Sequence, residues 1–478
     1  WGDGRASFWA EPDDRFSLGA EGLRVTLALP HIGHSTMAPA CCDSNASVES
    51  NQPSKTWLCS QTRSKTFMRP IVRATGACDR GHIRRVLQSA TRQVPVPTEC
   101  TTAVNAKTRE AQMVSIEQAI ARLDEYHDIL DARSPAEHAL DHLPGAISAP
   151  VLDNDQRIRI GTLYKQTGAF EAKRLGAALV SRNIADLLEG RLSDRPRDWR
   201  PLVYCWRGGN RSGALATVMA RIGWRVDVLD GGYRAFRRQV LSDLDTWPAQ
   251  RRFLVVAGRT GSGKSLLLEQ LAALGAQVLD LESLARHRGS VLGHLPDEAQ
   301  PSQKHFESRV WDFLRRSDPA RPIFVESESR KVGQCQVPHA LIEAIRSSSG
   351  VCIQAPDAVR CELLMRDYRH FIDEPQRLIA RLQALVTHHG HARIAEWTAM
   401  AESGRWPELV QSLLADHYDP SYLASMARNF ARLAQFPQIE LKGAQTDDVR
   451  EAARATLAAT GELAATGQLA ADGDTPGP

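Results

Sequence analysis

Long apolar segments are missing from this sequence of 478 residues. No stretch approaches the roughly 18 uninterrupted apolar residues that a membrane-spanning helix needs. The opening WGDGRASFWAEPDD has acidic residues where a secretory signal peptide has basic ones, and no apolar segment follows it. We therefore expect a cytoplasmic protein that makes no use of a membrane.

A large excess of charge is missing as well. The formal net charge is +3, and residues 1–112 hold 14 basic against 10 acidic side chains, so the rest of the chain is nearly neutral. A nucleic-acid partner is not excluded, but its basic surface must come from local clusters. Residues 1–112 also lack helical or strand periodicity. We predict that they are a non-native or disordered extension and that the natural start is Met113.

From about residue 127 the sequence alternates short apolar strands with amphipathic helices. This pattern is typical of βαβ units, in which parallel strands form a sheet covered by helices. We predict an α/β protein built from consecutive parts. They are a parallel-sheet domain over 113–246, a second α/β domain over 247–357, a mostly helical region over 358–460 and a flexible tail over 461–478.

The segment GRTGSGKS, residues 258–265, fits the pattern G-x-x-x-x-G-K-[ST] at every fixed position. It follows the apolar strand RFLVVA and precedes the helical segment KSLLLEQLAAL, which is the setting of a P-loop. Backbone N–H groups of such a loop bind phosphate, and a lysine adds positive charge. The predicted phosphate-binding residues are Gly258, Gly261, Gly263, Lys264 and Ser265. The pattern predicts a bound phosphate chain and does not by itself predict ATP hydrolysis.

A magnesium ion is a candidate companion of that phosphate chain. Ser265 stands where P-loop proteins place a magnesium ligand. Asp280 and Glu326 each end an apolar strand of the same domain, so their carboxylates are candidate ligands, although either could equally be a surface acid. We expect no tightly bound cofactor.

The loop CWRGGNRSG, residues 205–213, follows the apolar run LVY. Gly208 and Gly209 allow successive backbone N–H groups to turn inward and form an anion site. Those groups, a helix N-terminus and two guanidinium groups would lower the pKa of a thiol. We predict that Cys205, Arg207 and Arg211 are catalytic. Three other cysteines are predicted to be structural: Cys335, Cys352 and Cys361.

Cysteine-dependent phosphatases and rhodanese-type sulfurtransferases both use a loop of this kind. The length of the loop does not separate them. Upstream residues favour the second class, because Asp131-Ala-Arg133, Glu137 and the segment from His142 in HLPGA resemble the rhodanese signature. The glycine pair after Asp230 matches the end of the next rhodanese strand as well. The first domain is therefore predicted to be rhodanese-like and the second to be P-loop NTPase-like.

A rhodanese-like domain followed by a P-loop domain resembles the bacterial tRNA 2-selenouridine synthases. The matching blocks run in family order over about residues 113–460. They are CWRGGNRS, LDGGYRAFR, TGSGKS, VLDLESLARHRGS, QPSQKHFES, VESESRKVG and HYDP.

The resemblance implies a transferase that acts in two steps on 2-thiouridine at the tRNA wobble position. Geranyl diphosphate first alkylates the sulfur, and selenium from selenophosphate then replaces the S-geranyl group to give 2-selenouridine. The implied partners are tRNAs for lysine, glutamate and glutamine that carry 2-thiouridine. A diphosphate leaving group suits the P-loop, and the tetrahedral selenophosphate suits the loop of Cys205.

Basic clusters in the nearly neutral body are candidate tRNA contacts. The residues concerned are Arg286, Arg288, Arg330 and Lys331, with Arg234, Arg237 and Arg238 as a further cluster. Trp206 is a candidate stacking platform for the wobble base, or else a tryptophan that closes the core at a strand end.

Alternative functions stay open at this level. A rhodanese-type sulfurtransferase or a cysteine-dependent phosphatase with an accessory P-loop domain would use Cys205 but leave QPSQKHFES unexplained. A P-loop kinase would use Lys264 but give Cys205 no task. A non-catalytic binding module would not need the cysteine.

Overall fold

The computed structural model describes residues 109–296 and 298–461. The extension predicted for residues 1–112 and the tail predicted for residues 461–478 lie almost wholly outside these residues. Within the described part, two parallel β-sheets carry helices on both faces, and further helices follow them. This arrangement confirms the predicted α/β fold with a mostly helical C-terminal part.

Within residues 109–296, a first sheet is formed by strands β1 Gln112–Val114, β2 Asp128–Asp131, β3 Ala146–Ser148, β4 Pro201–Tyr204 and β5 Asp227–Leu229. Their spatial order is β1-β5-β4-β2-β3, and all neighbours are parallel. All four residues of β4 are buried, as expected for a central strand covered on both faces. The loop of Cys205 therefore starts at the carboxyl end of a central strand, where ligands bind in open α/β sheets.

Helices surround the first sheet. They are α1 Ile116–Ala121, α2 Pro135–Leu140, α3 Asn154–Gln166, α4 Ala169–Glu189, α5 Asn210–Ile222 and α6 Gly232–Thr246. Capping residues in the sequence explain where several of them begin. Ser134 and Glu137 form a capping box at α2, and Asp153 and Gln156 form one at α3.

In the second half of the described chain, a second sheet is formed by β6 Phe253–Ala257, β7 Gln277–Leu279, β8 Ile323–Glu326, β11 Ser349–Gln354 and β12 Gln438–Glu440. Their order is β12-β11-β6-β8-β7, again with all neighbours parallel. A short antiparallel hairpin joins β9 Lys331–Val332 to β10 Cys335–Gln336. β6 is buried along its whole length, so the P-loop also follows a central strand.

The remaining helices are α7 Lys264–Ala273, α8 Leu281–Ala285, α9 Gln303–Arg316, α10 His339–Ser347, α11 Asp357–Asp367, α12 Arg369–Asp373, α13 Pro375–Leu382, α14 Val386–Glu402, α15 Trp406–Leu413, α16 Asp419–Asn429 and α17 Thr446–Thr460. A π-helical turn, Leu414–Tyr418, connects α15 to α16. No helix among the described residues is both long enough and apolar enough to cross a membrane.

One hydrophobic core continues from the first sheet into the second. Phe236 on α6 packs edge-on against Trp311 on α9 with ring centroids 5.4 Å apart. Trp311 also donates a hydrogen bond from Nε1 to Asp243 on α6, at 2.8 Å. The two sheets therefore share buried side chains through α6 and α9, and both candidate loops belong to one packed body.

Candidate active site

Cys205 lies at the bottom of the loop that leaves β4, and its residue is only 3% exposed. The loop after β5 packs directly against it. Gly232 has a φ of +52°, and a Cβ there would lie 2.2 Å from the carbonyl oxygen of Cys205. Gly208 has a φ of +68° and is equally tight, since a Cβ would lie 2.4 Å from the oxygen of Leu229. Only glycine fits both positions, so the two glycine pairs noted in the sequence form one interlocked structure.

The environment of the Cys205 thiol favours its ionised form. Burial alone would raise the pKa, but hydrogen bonds from the side chain and backbone of Ser212, the charge of Arg211 and the backbone N–H of Arg207 lower it below the ordinary value. The Ser212 hydroxyl donates to the sulfur at 3.2 Å. The loop thus stabilises a thiolate, which is the reactive form of cysteine.

The upstream signature forms one side of this loop. Glu137 accepts a hydrogen bond from Arg211 at 2.8 Å and from the backbone N–H of Ser134 at 3.1 Å. Arg133 is buried and binds Asp131 through two nitrogens, with distances of 2.9 and 2.6 Å. Burial would raise the pKa of Asp131, yet hydrogen bonds with His138 and Arg133 lower it to about 2. Glu137 therefore holds Arg211 beside the loop, and Arg133 with Asp131 forms a buried ion pair in the same signature.

Two further residues predicted at the cysteine loop, Arg207 and Trp206, directly follow Cys205. Arg207 is exposed, and its backbone N–H group lowers the pKa of the Cys205 thiol. Trp206 is half-buried and packs on Tyr233 with ring centroids 5.3 Å apart. Its indole Nε1 is buried without a hydrogen-bond partner. Trp206 therefore packs against the core at the end of β4, and its role as a stacking platform stays a prediction.

Two glycines of the P-loop have left-handed backbone conformations. Gly261 and Gly263 have φ values of +75° and +85°, which favour glycine. Gly258 is confined, because a Cβ there would lie 2.5 Å from Ser262 Oγ. Lys264 donates from Nζ to the carbonyl oxygens of Gly258 at 2.8 Å and Arg259 at 3.2 Å. The lysine is therefore held along the loop with its charge beside the N-terminus of α7.

Carboxylates gather next to Ser265. Ser265 Oγ lies 3.4 Å from Glu282 Oε2, and the backbone N–H of Glu282 donates to Glu326 Oε1 at 2.9 Å. Burial and the neighbouring charge of Glu328 raise the pKa of Glu282 to about 8, and burial with nearby acids raises that of Glu326 well above its usual range. Glu282 and Glu328 were not singled out from the sequence, because neither ends a strand.

The predicted metal ligands differ in what they do. Asp280 caps α8, accepting from the backbone N–H of Ser283 at 2.7 Å, whereas Glu326 Oε2 is buried with no partner. No three acidic, histidine or cysteine side chains among the described residues are arranged to hold a metal ion by themselves. Magnesium at a phosphate site needs only one or two protein carboxylates with a hydroxyl and phosphate oxygens. Ser265, Glu282 and Glu326 fit that requirement.

The C-terminal helices hold the P-loop in place, a role that the sequence did not reveal. Tyr422 on α16 accepts a hydrogen bond from the backbone N–H of Gly258 at 2.7 Å. Arg360 on α11 is 1% exposed; it donates to the carbonyl oxygen of Thr260 at 2.9 Å and pairs with Asp419 at 2.5 Å. Asp419 belongs to the HYDP block, which therefore acts as part of the phosphate site's support.

The basic residues predicted to contact tRNA lie in different settings. Arg330 and Lys331 are exposed at the β9–β10 hairpin, and Arg286 is exposed with a φ of +51°. Arg288 instead lies over the ring of Tyr368 at 4.9 Å and donates to the carbonyl oxygen of Asp367. Arg237 is nearly buried between the two domains, where it contacts Glu307 and Asp141.

The fold and the two loops define a rhodanese-like domain followed by a P-loop domain. A family profile described as rhodanese-like domain matches residues 115–239, and one described as tRNA 2-selenouridine synthase AAA domain matches residues 251–381.

Curated relatives agree with these profiles, and each carries the name tRNA 2-selenouridine synthase. The relative from Aeromonas salmonicida is 30% identical over 64% of this chain and 89% of its own length. The relative from Alcanivorax borkumensis is 31% identical over 63% and 90%. The relative from Nitrosomonas europaea is 34% identical over 50% of this chain, and the matched region covers 63% of that protein's length. This chain belongs to the tRNA 2-selenouridine synthase family, which confirms the resemblance seen in the sequence.

Among solved structures, a rhodanese-related protein from Thermoplasma volcanium matches 27% of this chain and 92% of its own at 16% identity. The TM-score of 0.18 is too low for a structural comparison.

Proposed function

We propose that this chain converts 2-thiouridine in tRNA to 2-selenouridine through an S-geranyl intermediate, with geranyl diphosphate and selenophosphate as co-substrates. The observation that carries the proposal is the pairing, in one packed body of this family, of an activated cysteine loop with a P-loop. The first suits a tetrahedral anion, and the second suits a diphosphate. The proposed tRNAs are those for lysine, glutamate and glutamine, and a tRNA substrate fits the cytoplasmic location expected from the sequence.

In the first step the sulfur of 2-thiouridine attacks the carbon that bears the diphosphate of the geranyl donor. A carbon–sulfur bond forms, the carbon–oxygen bond breaks, diphosphate leaves, and the N3 proton of the base passes to solvent. Lys264 and the backbone N–H groups of residues 258–265 stabilise the negative charge that develops on the leaving group. When bound, Mg²⁺ would supply further positive charge to the diphosphate, held by Ser265, Glu282 and Glu326.

In the second step selenium from selenophosphate bonds to carbon 2 of the base as the bond to the S-geranyl group breaks. Water completes the balance, so that geranylthiol and inorganic phosphate are released. In this proposal the N–H groups around Cys205 and the guanidinium of Arg211 bind selenophosphate. The thiolate of Cys205 lies in the same anion site. We therefore expect the second step to depend on Cys205.

The test uses the full chain, 2-thiouridine tRNA, geranyl diphosphate and selenophosphate, with the digested nucleosides read by mass spectrometry. We expect 2-selenouridine from the wild type, accumulation of the geranylated nucleoside with Cys205→Ala, and unmodified 2-thiouridine with Lys264→Ala. Cys335→Ala is the matched thiol control and should behave as the wild type. If the wild type leaves the tRNA unchanged, the synthase proposal fails, and sulfurtransferase and phosphatase assays come next.

A further inference from the structure

Two helices of the first domain stand apart from its core. They are α3 and α4, which the turn Thr167–Gly168 joins. No residue of α3 is buried, although the structure describes all 13 of them, whereas a helix that packs on a sheet buries an apolar stripe along its length. Instead α3 packs on α4, since a Cβ at Gly176 would lie 3.8 Å from Ile160 Cδ1. The pair therefore forms a helical hairpin, the α3–α4 hairpin, whose outer faces are open to solvent.

The α3–α4 hairpin concentrates positive charge in a nearly neutral body. At its base Asn183 donates from Nδ2 to Gln156 Oε1 at 2.7 Å. Residues 154–182 hold six basic side chains and two acidic ones, Asp155 and Glu171. All six basic side chains are exposed: Arg157, Arg159, Lys165, Lys173, Arg174 and Arg182. A surface with this excess of positive charge is complementary to a polyanion.

Aromatic side chains are exposed at the tip of the hairpin. Phe170, in the first turn of α4, is 74% exposed, more than any other large apolar side chain in the part of the chain that the structure describes. Tyr164, in the last turn of α3, is 58% exposed. Folding leaves these rings in water, although burial of an aromatic side chain is strongly favourable. Aromatic rings among exposed cations are the groups on which single-stranded RNA stacks its bases while its phosphates are neutralised.

The base of the hairpin borders the loop of Cys205. Arg157 Nε lies 3.7 Å from Glu137 Oε2, the oxygen that also accepts a hydrogen bond from Arg211. From Arg157, α3 continues for nine residues, which corresponds to a rise of roughly 14 Å. The basic surface therefore begins beside the cysteine loop and extends over that length.

We propose that the α3–α4 hairpin binds the single-stranded anticodon loop of the tRNA, with phosphates on its basic side chains and an unstacked base on Phe170. The assignment rests on the proposed function and deepens it, because it names the surface that presents the wobble base to Cys205. An RNA loop offers both chemistries at once, since its bases can be splayed out and its phosphates are accessible. The basic residues predicted as tRNA contacts from the sequence lie outside residues 154–182, so the hairpin is a separate surface.

A second copy of this chain is the competing partner, because exposed apolar side chains also mark contacts between proteins. The cores of protein–protein interfaces are depleted in charged residues, and in lysine in particular. Here Lys165 directly follows Tyr164, and Lys173 follows Phe170 by three positions, which places both on the same face of α4. Burying these ammonium groups against another protein would cost free energy, whereas phosphates pair with them. The hairpin therefore favours RNA.

The test measures the affinity of the full chain for a fluorescently labelled lysine tRNA that carries 2-thiouridine, by anisotropy from about 50 to about 200 mM salt. A triple variant removes three exposed cations of the hairpin: Arg159→Ala, Lys165→Ala and Lys173→Ala. We expect the slope of log affinity against log salt concentration to become shallower by about 2, because each phosphate contact to a single strand contributes about 0.7. The matched control removes three exposed cations before the amino ends of β4 and β5, the edge of the sheet opposite Cys205, and should keep the wild-type slope: Arg197→Ala, Arg221→Ala and Arg225→Ala.

A second variant, Phe170→Ala, separates stacking from charge. We expect its affinity for the same tRNA to fall roughly tenfold with an unchanged salt slope, because a stacked base adds affinity without releasing counterions. Phe170→Tyr keeps an aromatic face and should stay within about twofold of wild type. Ile222→Ala removes another exposed apolar side chain, on α5, and is the matched control.

Conversion of 2-thiouridine is measured with the same proteins, so that failure of the hairpin assignment and failure of the proposed function can be told apart. If the hairpin variants keep the affinity and salt slope of a wild type that makes 2-selenouridine, the assignment is overturned and the proposed function stands. If the variants change the sedimentation of the chain and not its affinity for tRNA, the hairpin is a contact between copies, which also overturns the assignment. If the variants bind tRNA as expected but wild type converts no 2-thiouridine, the RNA surface is supported and the proposed function fails. If wild type does not bind the tRNA even at about 50 mM salt, both fail.

Discussion

Single side chains decide whether Cys205 is a reactive thiolate or a buried thiol. Burial pushes its pKa upward, and the Ser212 hydroxyl, 3.2 Å from the sulfur, is the leading group that pushes it down. Ser212→Ala removes this donor while the backbone N–H groups remain. We expect the pKa of Cys205 to rise, so that alkylation by iodoacetamide at pH 7 slows roughly tenfold, since a hydrogen bond to a charged group contributes about 1.5–3 kcal/mol.

The measurement follows the peptide that contains Cys205 by mass spectrometry across a pH series, because other cysteines also react. Thr217→Ala, on the same helix but bonded only to the carbonyl oxygen of Gly213, is the matched control. An unchanged pH profile in Ser212→Ala would mean that Arg211 and the backbone hold the thiolate without the hydroxyl.

At this scale the sequence predicts residues whose chemistry is local, but it does not show which distant side chains a residue will contact. Cys205 and Lys264 each lie in a loop whose residues are consecutive in the sequence, so the spacing of the glycines is enough to identify them. Glu137 reaches Arg211 across 74 positions, and Glu282 meets Ser265 only because α8 and α7 begin side by side. Hydrophobic periodicity in the sequence does not predict such long-range contacts, because they depend on how the strands are ordered in the sheet.

At the scale of elements, helix α11 determines how firmly the P-loop is held. Arg360 joins the carbonyl oxygen of Thr260 to the carboxylate of Asp419, and the guanidinium is buried. Arg360→Met keeps most of the aliphatic volume, but it leaves the carbonyl oxygen of Thr260 without this donor and Asp419 with Arg259 as its remaining guanidinium partner. We expect a loss of roughly 1–3 kcal/mol in the free energy of unfolding, because a buried acceptor loses its hydrogen bond.

Urea unfolding checks this value, and pyrophosphate binding to the folded variant should weaken because the loop loses its support. Arg366→Ala, at an exposed position on the same helix, should change the unfolding free energy by less than about 0.5 kcal/mol. Equal stability of Arg360→Met and wild type would remove Arg360 from this role.

Strand β12 illustrates what the sequence could not predict about elements. The region from residue 358 was predicted to be mostly helical, and it is, but Gln438–Glu440 returns to the second sheet and pairs with β11. Three residues are too few to show an alternating pattern. The strand forms because β11 offers an unpaired edge and because Ile439 and Leu441 bury themselves in the core beneath α7 and α17. Its partner, not its own sequence, determines its conformation.

At the scale of the whole molecule, Asp141 joins the rhodanese-like domain to the P-loop domain. It is fully buried and accepts hydrogen bonds from Tyr233 at 2.7 Å and from Ser308 at 3.2 Å. Ser308 lies in the block QPSQKHFES, for which the sequence alone predicts no role. In the structure this block contacts the rhodanese-like domain, because Ser302 of the same block also donates to the carbonyl oxygen of Leu140 at 2.5 Å. The block is one part of the surface through which the P-loop domain contacts the rhodanese-like domain.

Removing this carboxylate should loosen the connection between the two domains. Burial would raise the pKa of Asp141, but the ring of His305 at 3.6 Å, the hydrogen bond from Tyr233 and the charge of Arg237 hold it below the usual range. A carboxyl whose pKa is lowered by folding stabilises the protein above its unfolded pKa, and that contribution is lost as the pH falls through the folded value. Asp141→Ala should therefore cost roughly 3 kcal/mol from pH 6 to 8, with the difference from wild type shrinking below about pH 4.

Calorimetry of the full chain tests this prediction directly. We expect the two domains of the wild type to unfold in one transition, because they share a core. In Asp141→Ala we expect a separate transition for each domain. Asp245→Ala removes an exposed acid from α6, the helix that carries Tyr233, and should leave the wild-type transition unchanged. If Asp141→Ala also keeps a single transition at the wild-type temperature, the hydrophobic packing of Phe236 on Trp311 is sufficient, and the polar contacts at Asp141 do not couple the domains.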